Sequence, residues 1–167
     1  MTRTPHSPIQ QLSSQEISAT LALNNEHAKE TSLLDGASLA ALLGMAFYAR
    51  GIDGGSAAFL IALDQNTPYN NPNFEWFRER YERFVYIDRI IVAVSARGQG
   101  IARRLYEDLF AVAARAAHDR VVCEVNLDPP NPASDSFHAN MGFAEVGHAT
   151  IHGGAKTVRY FEKALAR

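Results

Sequence analysis

The stretch from Phe84 to Leu127 constrains the fold more than any other part of this sequence. It opens on Phe84–Val94, which is almost continuously apolar, as the central strand of a sheet requires. The turn Arg97–Gly100 follows. Beyond it, apolar residues recur at the spacing of an amphipathic helix, at Ile101, Leu105, Leu109, Val112 and Ala116. Val121–Leu127 is a second buried strand, so the unit predicts a right-handed crossover between two parallel neighbours.

Shorter elements are predicted on either side of this unit. Ser13 and Glu16 have the spacing of a capping box and predict the start of a first helix, and Asp35 predicts the cap of a second helix. The glycine-rich stretch 51–55 predicts a hairpin turn. Two further helices and a closing pair of strands are expected over residues 74–81, 133–140, 143–151 and 157–163. The fold class is therefore α+β, a mixed sheet with antiparallel ends rather than a doubly wound one.

Length and charge narrow the classes of protein that fit. With 167 residues, we expect a single domain over residues 9–167 behind a flexible tail at residues 1–8. The net charge of −2 argues against a nucleic-acid partner. No apolar run can cross a bilayer, and the first residues lack the apolar core of a signal peptide, so we predict no membrane partner and a cytoplasmic location. The lone Cys123 excludes an internal disulfide bond.

The two glycines before the central helix are typical of an anion site. Gly98 and Gly100 let backbone N–H groups approach a phosphate closely, and the helix dipole adds to the attraction. A nucleotide P-loop would need Lys and then Ser or Thr where Ile101 and Ala102 stand. A dinucleotide fingerprint would need a small residue at Arg103. A plain strand-to-helix turn is the remaining alternative.

Two motifs carry a resemblance to a known family. Val92–Ala102 closely resembles the acyl-coenzyme A motif of the GNAT superfamily of N-acetyltransferases, and Asn131–Phe143 resembles the second motif of that family. In the second motif an Asn is followed seven residues later by a proton-donating residue and then by Gly-Phe. The resemblance covers roughly residues 84–147. It departs from the family at Val94, where a Pro is common, and at His138, where a Tyr is typical.

The resemblance implies a fold and a cosubstrate. The fold is a central mixed sheet of about six to seven strands with flanking helices and a V-shaped splay between the two central parallel strands. The cosubstrate is acetyl-CoA, with its pyrophosphate held at the glycine turn and its arm along the backbone of one splayed strand. Asn131 is expected to cap a helix and to bond the same arm. The other implied cofactor-binding residues are Ile90, Ile91, Val92, Arg97, Gly98, Gln99, Gly100, Ile101 and Ala102.

Acetyl transfer to an amine requires a base for the amine proton and an acid for the leaving thiolate. Asp88 is the acid of the central strand, where desolvation favours its use as a base; the alternative is that Arg89 neutralises it. Glu124 is a second candidate, ranked below Asp88, and the two acids could act jointly. The resemblance places His138 as the proton donor to the thiolate; the alternative is a helix histidine with no role.

The expected activity is therefore direct transfer of an acetyl group, through a ternary complex, to a primary amine of a small molecule or to a free amino group. A non-catalytic coenzyme A-binding sensor is the alternative. Trp76 and Phe77 are either walls of an acceptor pocket or a buried helix stripe, and Cys123 reads as a core residue. The histidines show no metal-ligand spacing, so we predict no metal site. A homodimer is compatible with an open strand edge.

Overall fold

The computed structural model of the chain describes residues 7–28, 31–128 and 130–166. Two short 3₁₀ turns, Asp53–Gly55 and Val94–Ala96, join larger elements. The helices and strands are, in chain order, β1 (Gln10–Gln11), α1 (Ser18–Glu26), α2 (Gly36–Met45), β2 (Tyr48–Ile52), β3 (Ala58–Asp64), α3 (Pro72–Arg78), β4 (Val85–Val92), α4 (Ile101–Arg115), β5 (Arg120–Asp128), α5 (Pro132–Asn140), β6 (Ala144–Ile151) and β7 (Lys156–Ala164).

The predicted α+β class is confirmed. The strands follow the hydrogen-bonded order β1-β2-β3-β4-β5-β7-β6, and α4 connects the parallel pair β4 and β5. The β1–β2, β2–β3, β5–β7 and β6–β7 pairs are antiparallel. In the parallel register, Val85 pairs with Val121 and Tyr86 pairs with Val122.

The chain forms two compact units, and the boundary between them passes through β4 and α4. The first comprises the described residues up to Leu63 together with Asp88–Leu109, and the second comprises Asp64–Ile87 with the residues from Phe110 onward. In the first unit the buried side chains of β3 form the core with residues of α2 and α4. In the second unit the core consists of α3 aromatic residues and the inward faces of the strands, and includes Phe74, Phe77, Phe84, Tyr86, Val122 and Tyr160.

The predicted caps differ in outcome. Asp35 caps α2, because its Oδ1 accepts a hydrogen bond of 2.7 Å from the Ser38 N–H. The prediction that Ser13 begins a capping box is wrong, because α1 begins five residues later and Ile17 occupies its cap position. The Ser13 hydroxyl instead accepts from the N–H of Gln15 at 3.1 Å. A local turn of this kind competes with helix initiation for the same serine oxygen.

The start of the chain contains an element that the sequence analysis missed. Gln10 and Gln11 form β1 and pair with Gly51 and Arg50. Two residues are too few to show a strand period, so no pattern could have revealed this pairing. Most of the tail expected at residues 1–8 lies outside the described residues. The carbonyl of Ser7, which is described, accepts from Arg104 at 2.9 Å. In the described ranges no helix combines the length and apolarity needed to span a membrane.

Ala117 adopts a left-handed conformation at the end of α4, with φ of 62°. The His118 N–H bonds the Ala113 carbonyl and the Ala117 N–H bonds that of Ala114, each at 3.0 Å, which is the Schellman arrangement. Glycine is favoured at this position because it has no Cβ to clash. Ala117→Gly should therefore raise the free energy of unfolding by about 1 kcal/mol. The control Ala111→Gly, in the exposed interior of the helix, should lower it by about 1 kcal/mol. Urea unfolding measures both, and a loss in Ala117→Gly would contradict the assignment.

Candidate active site

The turn between β4 and α4 has the backbone conformation that the glycines predicted. Gly98 and Gly100 have φ of 78° and 74°, and a Cβ added to either would meet nothing within 4 Å. Close packing therefore does not explain these glycines, whereas a left-handed backbone does. The Arg104 N–H bonds the carbonyl of Gly100 at 3.1 Å, so the amides that precede it lie ahead of the helical ladder. The turn thus presents N–H donors at the head of a fifteen-residue helix, with open space around its glycines.

The two arginines beside this turn are hydrogen-bonded to other residues of the first unit. Arg97 folds back and donates from Nε to the carbonyl of Val92 at 3.2 Å, which keeps its positive charge at the end of β4. Arg103 pairs instead with Glu107 on the exposed side of α4, at 3.0 Å. Of the strand residues predicted to hold the arm, the Ile91 side chain is buried and those of Ile90 and Val92 are half-buried. Their side chains therefore pack, and it is their backbone that could serve a ligand.

Asp88 lies in a buried ion pair. Its Oδ2 accepts a hydrogen bond of 2.7 Å from Nε of Arg89, and the two side chains are 3% and 6% exposed, respectively. The same guanidinium donates to Oδ1 of Asn24 at 2.9 Å and to the hydroxyl of Ser32 at 3.3 Å. The carboxylate is therefore compensated by the neighbouring arginine, and the arginine ties the end of α1 to the segment that leads into α2.

Glu124 stands in a different setting, in the second unit. It is half-buried on β5, and its Oε2 accepts a hydrogen bond of 2.7 Å from the hydroxyl of Tyr86 on β4. Its cross-strand partner on β7 is Tyr160, whose hydroxyl donates to Oδ1 of Asn73 at 2.8 Å. Burial, with a smaller contribution from the negative charge of Glu124, raises the pKa of Tyr160 to about 12. Near neutral pH, Tyr160 is therefore a protonated neighbour of the Glu124 carboxylate.

The adjacent Cys123 points to the other face of β5. It is the single cysteine of the chain and is 3% exposed. Burial, and to a lesser extent the charge of Glu124, raises the pKa of its thiol well above the ordinary value. The thiol is therefore protonated and enclosed, as the sequence analysis expected of a core residue.

The aromatic residues of α3 back the Glu124 face. Phe77 is fully buried, and Trp76 stacks on Tyr160 with ring centroids 4.2 Å apart. The guanidinium of Arg80 lies 3.8 Å from the centroid of the Trp76 ring. Two neighbours this close occupy both faces of the indole, so the cation–π position that could have suited an amine ligand is filled by Arg80. Phe77 is part of the core, and Trp76 supports Tyr160.

His138 lies in α5 and faces away from Glu124. Its ring is 5.2 Å from that of Phe143 and 6.2 Å from that of Phe161. Phe161 pairs with Cys123, so it lies on the opposite face of β7 from Tyr160. Nδ1 of His138 lies 2.8 Å from the Ser134 carbonyl and donates to it. Burial lowers the pKa of His138, and the Ser134 carbonyl opposes that effect.

Asn131 precedes α5 and caps it, as expected. Its Oδ1 accepts from the N–H of Ser134 at 3.3 Å. The structure therefore brings Glu124, Tyr86 and Tyr160 together, and it places Asp88 in the other unit and His138 on the other face of β7. The sequence analysis missed Tyr160 and Asn73 because their contacts depend on the register of β7 against β5 and on the packing of α3 against β7. Strand alternation places Tyr86 on the same face of β4 as Asp88, but it cannot show the hydrogen bond to Glu124.

Buried histidines predict a stability that depends on pH. Burial lowers the pKa of both His138 and His118 below the ordinary value of 6.5. The unfolded chain then binds protons more readily than the folded chain, so stability is full above about pH 6.5 and is lost as the pH falls below it. Urea unfolding at about pH 7.5 and 5.5 should show this loss. His138→Asn should reduce the pH dependence, and His148→Asn, at an exposed position, controls for the substitution itself. A slope in His138→Asn equal to that of wild type would contradict the expectation.

A metal centre is not apparent in the described part of the chain, where no three His, Cys, Asp or Glu side chains form a group that could hold an ion. Each unit therefore contains one candidate feature of its own. The first unit contains the glycine turn with its backbone donors, and the second contains the Glu124 carboxylate with its tyrosine neighbours.

Comparison with known proteins agrees with the fold. A model of the acetyltransferase (GNAT) family matches residues 42–143. No curated protein matches the sequence. The ribosomal-protein-S18-alanine N-acetyltransferase from Escherichia coli has a similar structure, with a TM-score of 0.68, 17% identity and coverage of 96% of this chain and 95% of that one.

Two further solved structures are similar. Ard1 from Thermoplasma volcanium has a TM-score of 0.74 at 12% identity, covering 98% of this chain and 100% of that one. The acetyltransferase yncA from Salmonella typhimurium, solved with its cofactor acetyl-CoA, has a TM-score of 0.70 at 16% identity, covering 98% and 96%. At these identities the structures establish the fold alone. The family match spans more than half of the sequence, and the chain therefore belongs to the GNAT acetyltransferase family.

Proposed function

We propose that this protein is an acetyl-CoA-dependent N-acetyltransferase that acts on a primary amine of a small molecule or on a free amino group. The observation that carries the proposal is the open glycine turn at the head of α4, where two left-handed glycines precede the first helical bond. Because the chain belongs to the GNAT family, we expect the ligand at this turn to be acetyl-CoA. A diphosphate fits because the turn combines N–H donors that lie ahead of the helical ladder, a helix dipole and room for the anion.

Acetyl-CoA, when bound, supplies the acetyl thioester. The amides of Gly98, Gln99, Gly100, Ile101 and Ala102 would hold its pyrophosphate. The Arg97 N–H already donates to the Val94 carbonyl at 3.3 Å, so Arg97 would contribute the positive charge of its side chain. The backbone of Ile90, Ile91 and Val92 would pair with the amide-bearing arm, as an exposed strand pairs with an extended peptide. The Oδ1 of Asn131 already caps α5, so its role toward the arm would use the remaining polar atoms of the side chain.

Glu124 is the proposed base that takes the amine proton. Its half-buried carboxylate is hydrogen-bonded by a neutral hydroxyl, whereas the Asp88 carboxylate faces a guanidinium in a buried pair. The Asp88 carboxylate is thus already engaged in an ion pair whose other member also holds Asn24 and Ser32. These contacts support Glu124 ahead of Asp88, which reverses the order that the sequence favoured. Asp88 then acts by fixing Arg89 and, through it, Asn24 and Ser32.

His138 is proposed as the proton donor to the leaving thiolate, which it would have to approach from the face of β7 opposite to that of Glu124. Because Nδ1 is committed to the Ser134 carbonyl, the donated proton must come from Nε2 of the protonated ring. The lowered pKa makes that form scarce near neutral pH but also makes it a stronger acid. In the complete reaction a C–N bond forms, the C–S bond breaks, one amine proton passes to Glu124 and the thiolate receives a proton from His138.

The experiment has two stages. Thermal shifts of the protein saturated with acetyl-CoA are measured across a panel of small primary amines and short peptides with free amino termini, because an acceptor stabilises the folded complex. The E. coli neighbour acts on an alanine of a ribosomal protein, so peptides that begin with alanine belong in the panel. Thiol release is then measured with each stabilising amine. Release with at least one acceptor supports the proposal.

The opposite result would favour a different class of protein. Binding of acetyl-CoA without thiol release across the whole panel would indicate a coenzyme A sensor or regulatory module. Failure to bind acetyl-CoA would overturn both possibilities. The cytoplasmic location and the homodimer stay predictions, which fractionation of the source cells and sedimentation of the purified chain would check.

A further inference from the structure

The hydroxyl of Tyr86 has a fixed direction. Only 1% of Tyr86 is exposed, and its ring lies 5.6 Å from that of Phe74 and 6.0 Å from that of Phe77. Its backbone is paired with Val122, two residues before Glu124 on the neighbouring strand. The strand and the packed ring therefore aim the hydroxyl at Oε2 of Glu124, where it donates a hydrogen bond of 2.7 Å. The fixed Tyr86 hydroxyl therefore sets the orientation of the more flexible Glu124 carboxylate.

We propose that Tyr86 is a positioning residue that fixes Oε2 of Glu124 and thereby directs the other carboxylate oxygen toward the acceptor amine. This inference rests on the proposed function, in which Glu124 is the base. Tyr86 itself does not contact the reacting atoms. Its contribution is to hold the carboxylate in one rotamer, because an acid that is free to rotate loses the alignment that proton transfer requires.

The hydroxyl groups of two nearby tyrosines have other kinds of partner, so the arrangement of Tyr86 and Glu124 is not repeated by every tyrosine on this face of the sheet. A buried phenol needs an acceptor, and Tyr160 meets that need with the amide oxygen of Asn73 at 2.8 Å. Tyr81 donates to Glu162 at 2.6 Å, but that carboxylate also receives Arg120 at 3.2 Å and so belongs to an ion pair. These two tyrosines serve packing and a salt bridge, respectively.

The titratable groups near Glu124 include Tyr86 on β4, Tyr160 on β7 and Cys123 on its own strand, and Arg80, just after α3, acts on Tyr160. The charge of Glu124 raises the pKa of both Tyr160 and Cys123, which is the effect of an ionised carboxylate. A hydroxyl that donates to a carboxylate favours that ionised form, so loss of the Tyr86 hydroxyl should make protonation of Glu124 easier.

The test is Tyr86→Phe, which removes the hydroxyl and keeps the ring. The value of kcat should fall about tenfold, and the acidic limb of the pH–rate profile should move up by about one pH unit, since a hydrogen bond to a charged group is being lost. KM for acetyl-CoA should stay near wild type. Tyr81→Phe is the matched control, because it removes the same group from another Tyr–Glu pair. Its profile should match that of wild type.

A second measurement does not depend on turnover. The side-chain carboxyl carbon of Glu124, assigned by its loss in Glu124→Gln, is titrated by NMR in wild type and in Tyr86→Phe, and its midpoint should rise in the variant. If Tyr86→Phe does not fold, wild-type chain labelled with 3-fluorotyrosine replaces it. The more acidic phenol should then lower the midpoint. An unchanged midpoint would overturn the inference, whereas a shifted midpoint in a protein that acetylates no amine would overturn the proposed function alone.

Discussion

Replacing Glu124 with Gln should lower kcat by a factor of about 100 to 10,000, which is the usual range for the loss of a general base. The amide is nearly isosteric and can still accept the Tyr86 hydrogen bond, but it cannot take up the amine proton. Binding of acetyl-CoA should remain near wild type, because the residues proposed to hold it lie on other elements. Steady-state kinetics together with calorimetric titration of coenzyme A separate the two effects.

Two matched variants sharpen that experiment. Glu162→Gln alters another acid on the same face of the second unit, bonded by Tyr81 and Arg120, and its kcat should stay within a few-fold of wild type. Asp88→Asn tests the order in which the two acids are ranked. If it lowers kcat as far as Glu124→Gln does, and the protein remains as stable as wild type, the base is Asp88. Full activity of Glu124→Gln would refute its assigned role.

Replacing Arg89 with Met should lower the free energy of unfolding by about 3–5 kcal/mol, since one partner of a buried ion pair is removed and the other stays. The change takes the guanidinium away from the Asp88 carboxylate and also from Asn24 and Ser32. The double variant Asp88→Asn/Arg89→Met should recover part of the loss, because no net charge is then left in the buried site. Urea unfolding of the four proteins completes the double-mutant cycle.

Arg103→Met provides the control for the surface. Its pair with Glu107 has side chains that are 62% and 57% exposed, so the loss should stay below about 1 kcal/mol. If Arg89→Met costs no more than Arg103→Met, the network around Asp88 does not stabilise the first unit. Asp88 would then return as a candidate for the chemistry.

The sequence predicted those elements of the fold whose apolar residues follow a regular pattern along the chain. The apolar run of β4, the amphipathic α4 and the buried β5 were found close to their observed ends because each repeats its pattern over several turns or residues. The two-residue β1 has no such pattern. The capping box at Ser13 failed because the same residue types also favour a local turn, and only tertiary packing decides between the two.

The candidate site was predictable where function needs a special backbone, and not where it needs distant partners. Gly98 and Gly100 reveal the left-handed turn that we propose as the anion site, since few other residues adopt that conformation. The ranking of Asp88 above Glu124 was based on burial alone. The proposed reversal of this order rests on the contacts of Arg89 with Asn24 and Ser32, and on the strand register that brings Tyr86 to Glu124. Such contacts form only when the elements pack together, so no local pattern in the sequence predicts them.

The enclosure of Cys123 has a practical consequence for every kinetic experiment described above. A chromogenic disulfide reagent reacts with thiolates, and the one thiol of this chain is both shielded from solvent and held in its protonated form. Colour that develops during an assay under native conditions would thus count coenzyme A released as product, without a background from the protein. A single equivalent of colour that appears only in denaturant would in turn report the opening of the second unit.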